Sequence, residues 1–160
     1  MLARRIAHSL RTECVPEASR IYAERVGREL TEADVEPIAR EHMLLADAAA
    51  ARVTVSGGSV LVLDTDLVST SIYGKHYYDF TSPFIEAESR ARQADVYLLC
   101  DVDVPWVPDG VRDRPVQRAE MFALFRDALA QRGAVTVVVC GGWQARGEIA
   151  VRAVQGCVEG

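Results

Sequence analysis

The sequence predicts an α/β protein in which parallel strands are covered by helices on both faces. Short runs of apolar, β-prone residues at 60–63, 96–100 and 135–139 are separated by segments with helical periodicity. Apolar runs without a polar break are typical of strands buried on both faces, and strands that alternate with helices form three-layer α/β/α sheets. The first run ends in Asp64, and the carboxyl edge of such a sheet is where these folds bind ligands.

Length and composition indicate one ordinary globular domain, which we expect to span residues 1–160. The net charge of −5 argues against general nucleic-acid binding, and no apolar run approaches the roughly 20 residues that span a bilayer. The basic N-terminus has no apolar segment of the kind found in secretory signals. The four cysteines lack CxxC spacing and are expected to be buried thiols of a cytoplasmic protein, without nucleic-acid or membrane partners.

The other elements follow from periodicity and from capping signals. A helix at 2–10 is already under way at the first residue with no capping side chain before it, so the chain is predicted to begin inside an element. Thr31 followed by Asp34 predicts a capping box for a helix at about 35–52. We further expect a strand at 14–15, helices at 18–28, 67–73, 84–92, 116–132 and 143–158, and irregular chain at 75–83.

Three segments in order along the chain carry a family resemblance. They are Val15-Pro16-Glu17 with Arg20, then Asp64-Thr65-Asp66 followed by Ser69-Thr70, then Trp106-Val107-Pro108-Asp109-Gly110-Val111-Arg112. Together they resemble a P-loop nucleoside kinase, and more narrowly the ribosylnicotinamide-kinase-like domain of NadR-type proteins of NAD metabolism. The resemblance implies a P-loop-kinase-like sheet, ATP and Mg²⁺ as cofactors, and phosphoryl transfer to a nucleoside-like small molecule such as ribosylnicotinamide.

The resemblance implies roles for the acids that follow two strands. Asp64 would hold Mg²⁺, and the alternative is that it caps the helix that begins at residue 67. Asp66 would bind a sugar hydroxyl or assist the metal, with capping as its alternative. Glu17 would take the proton from the attacking hydroxyl, and Arg20 would bind substrate; alternatively Glu17 is a surface or N-cap acid and Arg20 pairs with it.

The resemblance also implies a nucleotide site in the second half of the chain. Arg112 would stabilise the charge that develops on the γ-phosphate, with Arg114 and Arg118 as further cationic contacts, unless these arginines pair with nearby acids in a solvated loop. Gly142 and Trp143 would lie near adenine, or form an ordinary strand-to-helix turn. Tyr73 would line a substrate pocket, although packing is an alternative for it.

One departure from the family is large. These kinases carry a GxxxxGK(S/T) loop between the first strand and first helix, and neither that strand nor that loop is present here. The absent strand would be the central one, so we expect the natural product to have upstream residues and the truncated chain to be inactive. The rival expectation is a relative that has truly lost the loop. Two other functions remain open: a regulatory P-loop ATPase, and a non-catalytic nucleotide- or metabolite-binding module.

Overall fold

The computed structural model describes residues 1–104 and 117–158, in which parallel strand pairs alternate with helices. The predicted α/β class with parallel strands is therefore confirmed. The chain divides into two compact units, essentially residues 3–93 and 94–160, and each is described separately. That residues 1–160 form a single domain stays a prediction.

The first unit is built on a short parallel pair of strands. Cys14 lies opposite Val62 and Val15 opposite Leu63, and the Asp64 amide donates to the Val15 carbonyl at 2.9 Å. The elements are α1 (Leu2–Leu10), β1 (Cys14–Val15), α2 (Ala18–Val26), a 3-10 turn (Glu32–Asp34), α3 (Val35–Val55), β2 (Val62–Leu63), α4 (Leu67–Tyr78) and α5 (Pro83–Ala91). The apolar run at 60–63 thus forms ladder bonds only in its second half.

The predicted capping box at Thr31 and Asp34 is confirmed. Asp34 accepts from the Thr31 amide at 2.8 Å and from its hydroxyl at 2.9 Å, and the Arg28 guanidinium binds both carboxylate oxygens at 2.7 and 2.8 Å. These bonds, the Arg28 pair first among them, hold the pKa of Asp34 far below its usual range. The box fixes the connection between α2 and α3, because the carboxylate ties both ends of that connection together.

A cluster of apolar side chains joins α3, α4 and α5. Its buried members are Val35, Ala39, Leu67 and Ile85, and Met43, Tyr78, Phe80 and Phe84 pack against them. Gly74 lets α4 approach α3 closely, because a Cβ on Gly74 would lie only 3.1 Å from Val35 Cγ1. The Ser82 hydroxyl caps α5 by accepting from the Ile85 amide at 3.3 Å.

The prediction of irregular chain at 75–83 is wrong in its first half, since α4 continues to Tyr78. Tyr73 and Tyr77, one helical turn apart, stack with centroids 5.9 Å apart and planes 17° from parallel. The helix is followed by its C-cap residue Asp79, whose left-handed φ of 54° ends the helical conformation.

The second unit contains the other parallel pair, β3 (Tyr97–Cys100) with β4 (Thr136–Val139), and the helices α6 (Arg118–Gln131) and α7 (Trp143–Val158). Tyr97 lies opposite Thr136, and the Asp101 amide donates to the Val139 carbonyl at 3.0 Å. Within the described residues β3 pairs only with β4, as β2 pairs only with β1.

The expectation of four buried thiols is wrong for three of them. Cys100, Cys140 and Cys157 are exposed, and Cys14 is half-buried. Cys100 is the last residue of β3, opposite Val139, and Cys140 follows β4, so both lie at the carboxyl end of the ladder. In the part of the chain that the structure describes, no helix is both long and apolar enough to cross a membrane.

Candidate functional site

Two acids emerge at one edge of the first strand pair. Glu17 follows β1 by two residues and Asp64 follows β2 directly. Because Val15 and Leu63 are register partners in a parallel pair, the residues after them leave the sheet at the same, carboxyl edge. The edge that the sequence predicted as a ligand site thus carries both acids.

The Glu17 carboxylate is held by its own helix. The Ser19 hydroxyl donates to Oε1 at 3.0 Å, the Arg20 Nε lies 3.6 Å from Oε2, and the Glu17 side chain is only 13% exposed. Glu17 occupies the N-cap position of α2, but its side chain makes no capping hydrogen bond there. The alternative in which Arg20 pairs with Glu17 is therefore observed, with Oε2 of Glu17 beside the Arg20 guanidinium.

The capping role at the second acidic segment falls on Asp66. Its Oδ1 accepts from the Ser69 amide at 3.1 Å and from the Ser69 hydroxyl at 3.4 Å, and the Thr70 hydroxyl donates to its carbonyl at 3.2 Å. Asp66, and not Asp64, thus caps the helix that begins at residue 67, as the alternative for Asp66 predicted.

The residue between these acids has an unusual backbone. Thr65 has a φ of 77°, a left-handed conformation that a β-branched residue rarely adopts. Such strain costs of order 1–3 kcal/mol and tends to occur at functional sites. This left-handed residue separates Asp64, at the strand end, from Asp66, at the helix start. The sequence does not predict the positive φ, because threonine rarely adopts that conformation.

Tyr73 lies on α4, two helical turns after Asp66. It is half-buried and stacks on Tyr77, so part of its ring is already used in packing. It therefore belongs to the helix that Asp66 caps, and to the same unit as Glu17 and Asp64.

A buried histidine that the sequence analysis did not single out faces this region. His42 on α3 is 5% exposed, and burial lowers its pKa. The nearby Asp66 carboxylate opposes that shift, whereas the Arg92 guanidinium reinforces it. His42 is thus kept neutral in the folded protein at a pH where an exposed histidine would begin to protonate.

This burial predicts a pH dependence of stability. Because the folded pKa of His42 lies below the unfolded value of about 6.5, the unfolded chain binds the proton more readily. The contribution of neutral His42 to the free energy of unfolding should therefore be complete above about pH 6.5. We expect the free energy of unfolding to fall as the pH drops below that value. His42→Gln should flatten this dependence in urea unfolding between about pH 5 and 8.

The matched control is His8→Gln, at an exposed position on α1. It distinguishes the burial of one histidine from the loss of any histidine. An unchanged pH dependence in His42→Gln would contradict the assignment.

The second unit holds the other predicted site residues. The Arg118 Nη1 donates to the Val104 carbonyl at 2.9 Å, which ties the start of α6 to the chain after β3. Gly142 is exposed in the turn after β4, and Trp143, the first residue of α7, is 57% exposed. Arg112 and Arg114, with the rest of the segment 105–116, lie outside the described residues.

A metal at the first edge would depend on few protein ligands. Within residues 1–104 and 117–158, no three His, Cys, Asp or Glu side chains cluster closely enough to hold an ion by themselves. Mg²⁺ commonly takes one or two carboxylates and completes its shell with water and substrate phosphates. A single half-buried carboxylate at a strand end, as at Asp64, fits that mode.

Comparison with known proteins places the chain in a family. The model of the AAA domain family matches residues 1–146, and the chain belongs to that family. Over 74 residues, 45% of this chain and 18% of the relative, it is 32% identical to the trifunctional NAD biosynthesis/regulator protein NadR of Escherichia coli (strain K12). A crystal structure of NadR protein in complex with NR matches with a TM-score of 0.70 at 22% identity.

That structural match covers 97% of this chain and 46% of the other, so the chain spans less than half the length of these relatives. The predicted resemblance to a NadR-type kinase-like domain, and the P-loop-kinase-like fold, are confirmed.

Proposed function

We propose that this chain provides the kinase-like part of a protein that transfers the γ-phosphate of ATP to a nucleoside-like small molecule. The observation that carries the proposal is the register of β1 with β2, which brings Glu17 and Asp64 to one carboxyl edge. Ribosylnicotinamide is the first candidate acceptor, because the NadR structure that this fold matches is a complex with NR.

Glu17 would act as the general base. A base must lie within hydrogen-bond reach of the hydroxyl that it deprotonates, and a side chain that leaves the strand end at the ligand edge can meet that requirement. Ser19 steadies Oε1, while Arg20 lies beside Oε2. Arg20 would then serve the substrate as well as the carboxylate, as a cation close to the attacking oxygen.

Asp64 would hold Mg²⁺, which supplies charge neutralisation for the phosphates when bound. The chain itself would orient the reactants and keep them at the sheet edge. Asp66, the N-cap of α4, and Tyr73, within α4, would contact the sugar and ring of the acceptor. For this small-molecule pocket we propose an apolar wall with a few fixed polar groups.

In the second unit, Gly142 and Trp143 would contact the nucleotide base, and Arg118 its phosphates. Arg112 would stabilise the charge on the transferred phosphoryl group, with Arg114 beside it. A single arginine in that role contributes about 10³–10⁵ in rate in related chemistry. These assignments follow from the family resemblance and from the position of the β4–α7 turn at the end of a parallel strand.

The test is the substitution Glu17→Gln in the protein as its own cells produce it. We expect kcat for ATP-dependent phosphorylation of ribosylnicotinamide to fall by about 10²–10⁴, the usual contribution of a general base. Calorimetric affinity for ribosylnicotinamide should be retained, because Gln preserves the shape of the side chain. Glu24→Gln, at an exposed position on the same helix, is the matched control.

The alternatives give different outcomes in the same assay. Phosphate release from ATP that is independent of any acceptor would favour a regulatory ATPase. Binding of ribosylnicotinamide by a wild-type protein that neither binds nor hydrolyses ATP would favour a binding module. Wild-type kcat in the Glu17→Gln variant would remove Glu17 from the mechanism.

A further inference from the structure

The turn after β4 is held by a buried arginine. Arg146, on the first turn of α7, is 4% exposed as a residue. Its Nε donates to the Gly141 carbonyl at 2.8 Å, and its Nη2 donates to the Asp101 carbonyl at 3.0 Å and also to Asp103 Oδ1. One guanidinium therefore connects the chain after β3 with the chain after β4.

Asp103 completes the arrangement from the other side. Its Oδ2 accepts from the Gly141 amide at 2.5 Å, so Asp103 and Arg146 together bind both backbone polar groups of Gly141. The hydrogen bond from the Gly141 amide is the main cause of the lowered pKa of Asp103, and the Arg146 charge contributes to the lowering. Gly141 itself has a φ of 82°, so the pair holds a backbone conformation that only glycine adopts readily.

The outer side of the same turn is open. A Cβ on Gly142 would meet no atom within 4 Å, and Trp143 next to it is 57% exposed as a residue. An accessible backbone beside an exposed indole suits a flat aromatic ring, which can stack on the indole and hydrogen-bond to the peptide groups. A buried arginine that is paired with Asp103 behind an open turn is the arrangement expected of a preorganised binding edge.

We propose that Asp103 and Arg146 are positioning residues, which hold the Gly141–Gly142–Trp143 turn in the shape that receives the base of the nucleotide. This inference rests on the proposed function, because it assumes that a nucleotide binds this unit. Neither residue touches the ligand; both act through the backbone of Gly141. Lysine cannot replace Arg146 fully, since a single ammonium lacks the planar fork that serves three acceptors.

The experiment compares two ligands that differ in the base. Affinities for ATP and for inorganic tripolyphosphate are measured by calorimetry in the full protein, wild type and variants, together with the thermal midpoint. In Arg146→Gln we expect ATP affinity to fall about tenfold, within the range of a lost base-stacking contact, with tripolyphosphate affinity unchanged. Arg146→Lys should recover part of the loss, and Asp103→Asn should reproduce it.

Arg152→Gln, at an exposed position on the same helix, is the matched control and should bind both ligands as the wild type does. Equal losses for ATP and tripolyphosphate would show a general structural role and overturn the inference, as would wild-type ATP affinity in folded Arg146→Gln or Asp103→Asn. Where Arg146→Gln fails to fold, Asp103→Asn and Arg146→Lys give the same comparison. A wild-type protein that binds no nucleotide overturns the proposed function and this inference together.

Discussion

Truncation of Ile85 to alanine is expected to lower the free energy of unfolding by about 2–5 kcal/mol. Ile85 is 1% exposed and lies in the cluster with Val35, Ala39 and Leu67. Removal of three methyl or methylene groups loses their transfer free energy and leaves a cavity among three helices that cannot fully close. Because small domains are stable by only about 5–15 kcal/mol, this single change would consume much of the margin.

The measurement is equilibrium urea unfolding of the two proteins at one pH. A lower midpoint with an unchanged slope would report a stability loss without a change in the surface exposed on unfolding. Leu44→Ala is the matched control, since Leu44 is also aliphatic and lies on α3 but is 72% exposed. Its effect should stay within about 0.5 kcal/mol, and equal effects of the two substitutions would contradict the assignment of the core.

The parts of the fold that the sequence predicted well are those set by local or strictly periodic signals. The capping box at Thr31 and Asp34 needs only three residues of spacing, and the structure has it. The apolar runs that end at Leu63 and Cys100 predicted strands because such runs suit a buried parallel ladder. The second half of α4 was missed because its aromatic residues are poor helix formers, and the contact of Gly74 with Val35 is tertiary.

The site divides in the same way. Glu17 and Asp64 could be placed at one edge from sequence, because parallel strands deliver their following residues to a common side. The burial of His42, the positive φ of Thr65 and the ion pair of Arg146 with Asp103 could not. The ion pair joins residues 43 positions apart, and an arginine on an amphipathic helix ordinarily faces solvent. Only the assembled fold shows that this one is enclosed.

The second prediction concerns the metal role that is proposed for Asp64. In the protein as its own cells produce it, Asp64→Asn is expected to lower kcat for phosphoryl transfer on the order of 10²–10³-fold, the size seen when one charge-stabilising group is removed from an active site. Asparagine keeps the shape but removes the negative charge, and Mg²⁺ strongly prefers carboxylate oxygens. The concentration of Mg²⁺ that gives half-maximal activity should therefore rise as well.

Two comparisons separate a metal role from a structural one. Asp47→Asn on α3, where the carboxylate is 59% exposed and pairs with Arg92, changes one surface charge and should leave turnover near the wild-type value. Calorimetric affinity for ribosylnicotinamide should persist in Asp64→Asn, since in the proposed mechanism the metal would serve the phosphates rather than the acceptor. Wild-type turnover and Mg²⁺ dependence in Asp64→Asn would refute the metal assignment. A loss of urea stability with unaltered Mg²⁺ dependence would instead identify Asp64 as a residue that supports the turn at Thr65, where the strained backbone leaves the strand.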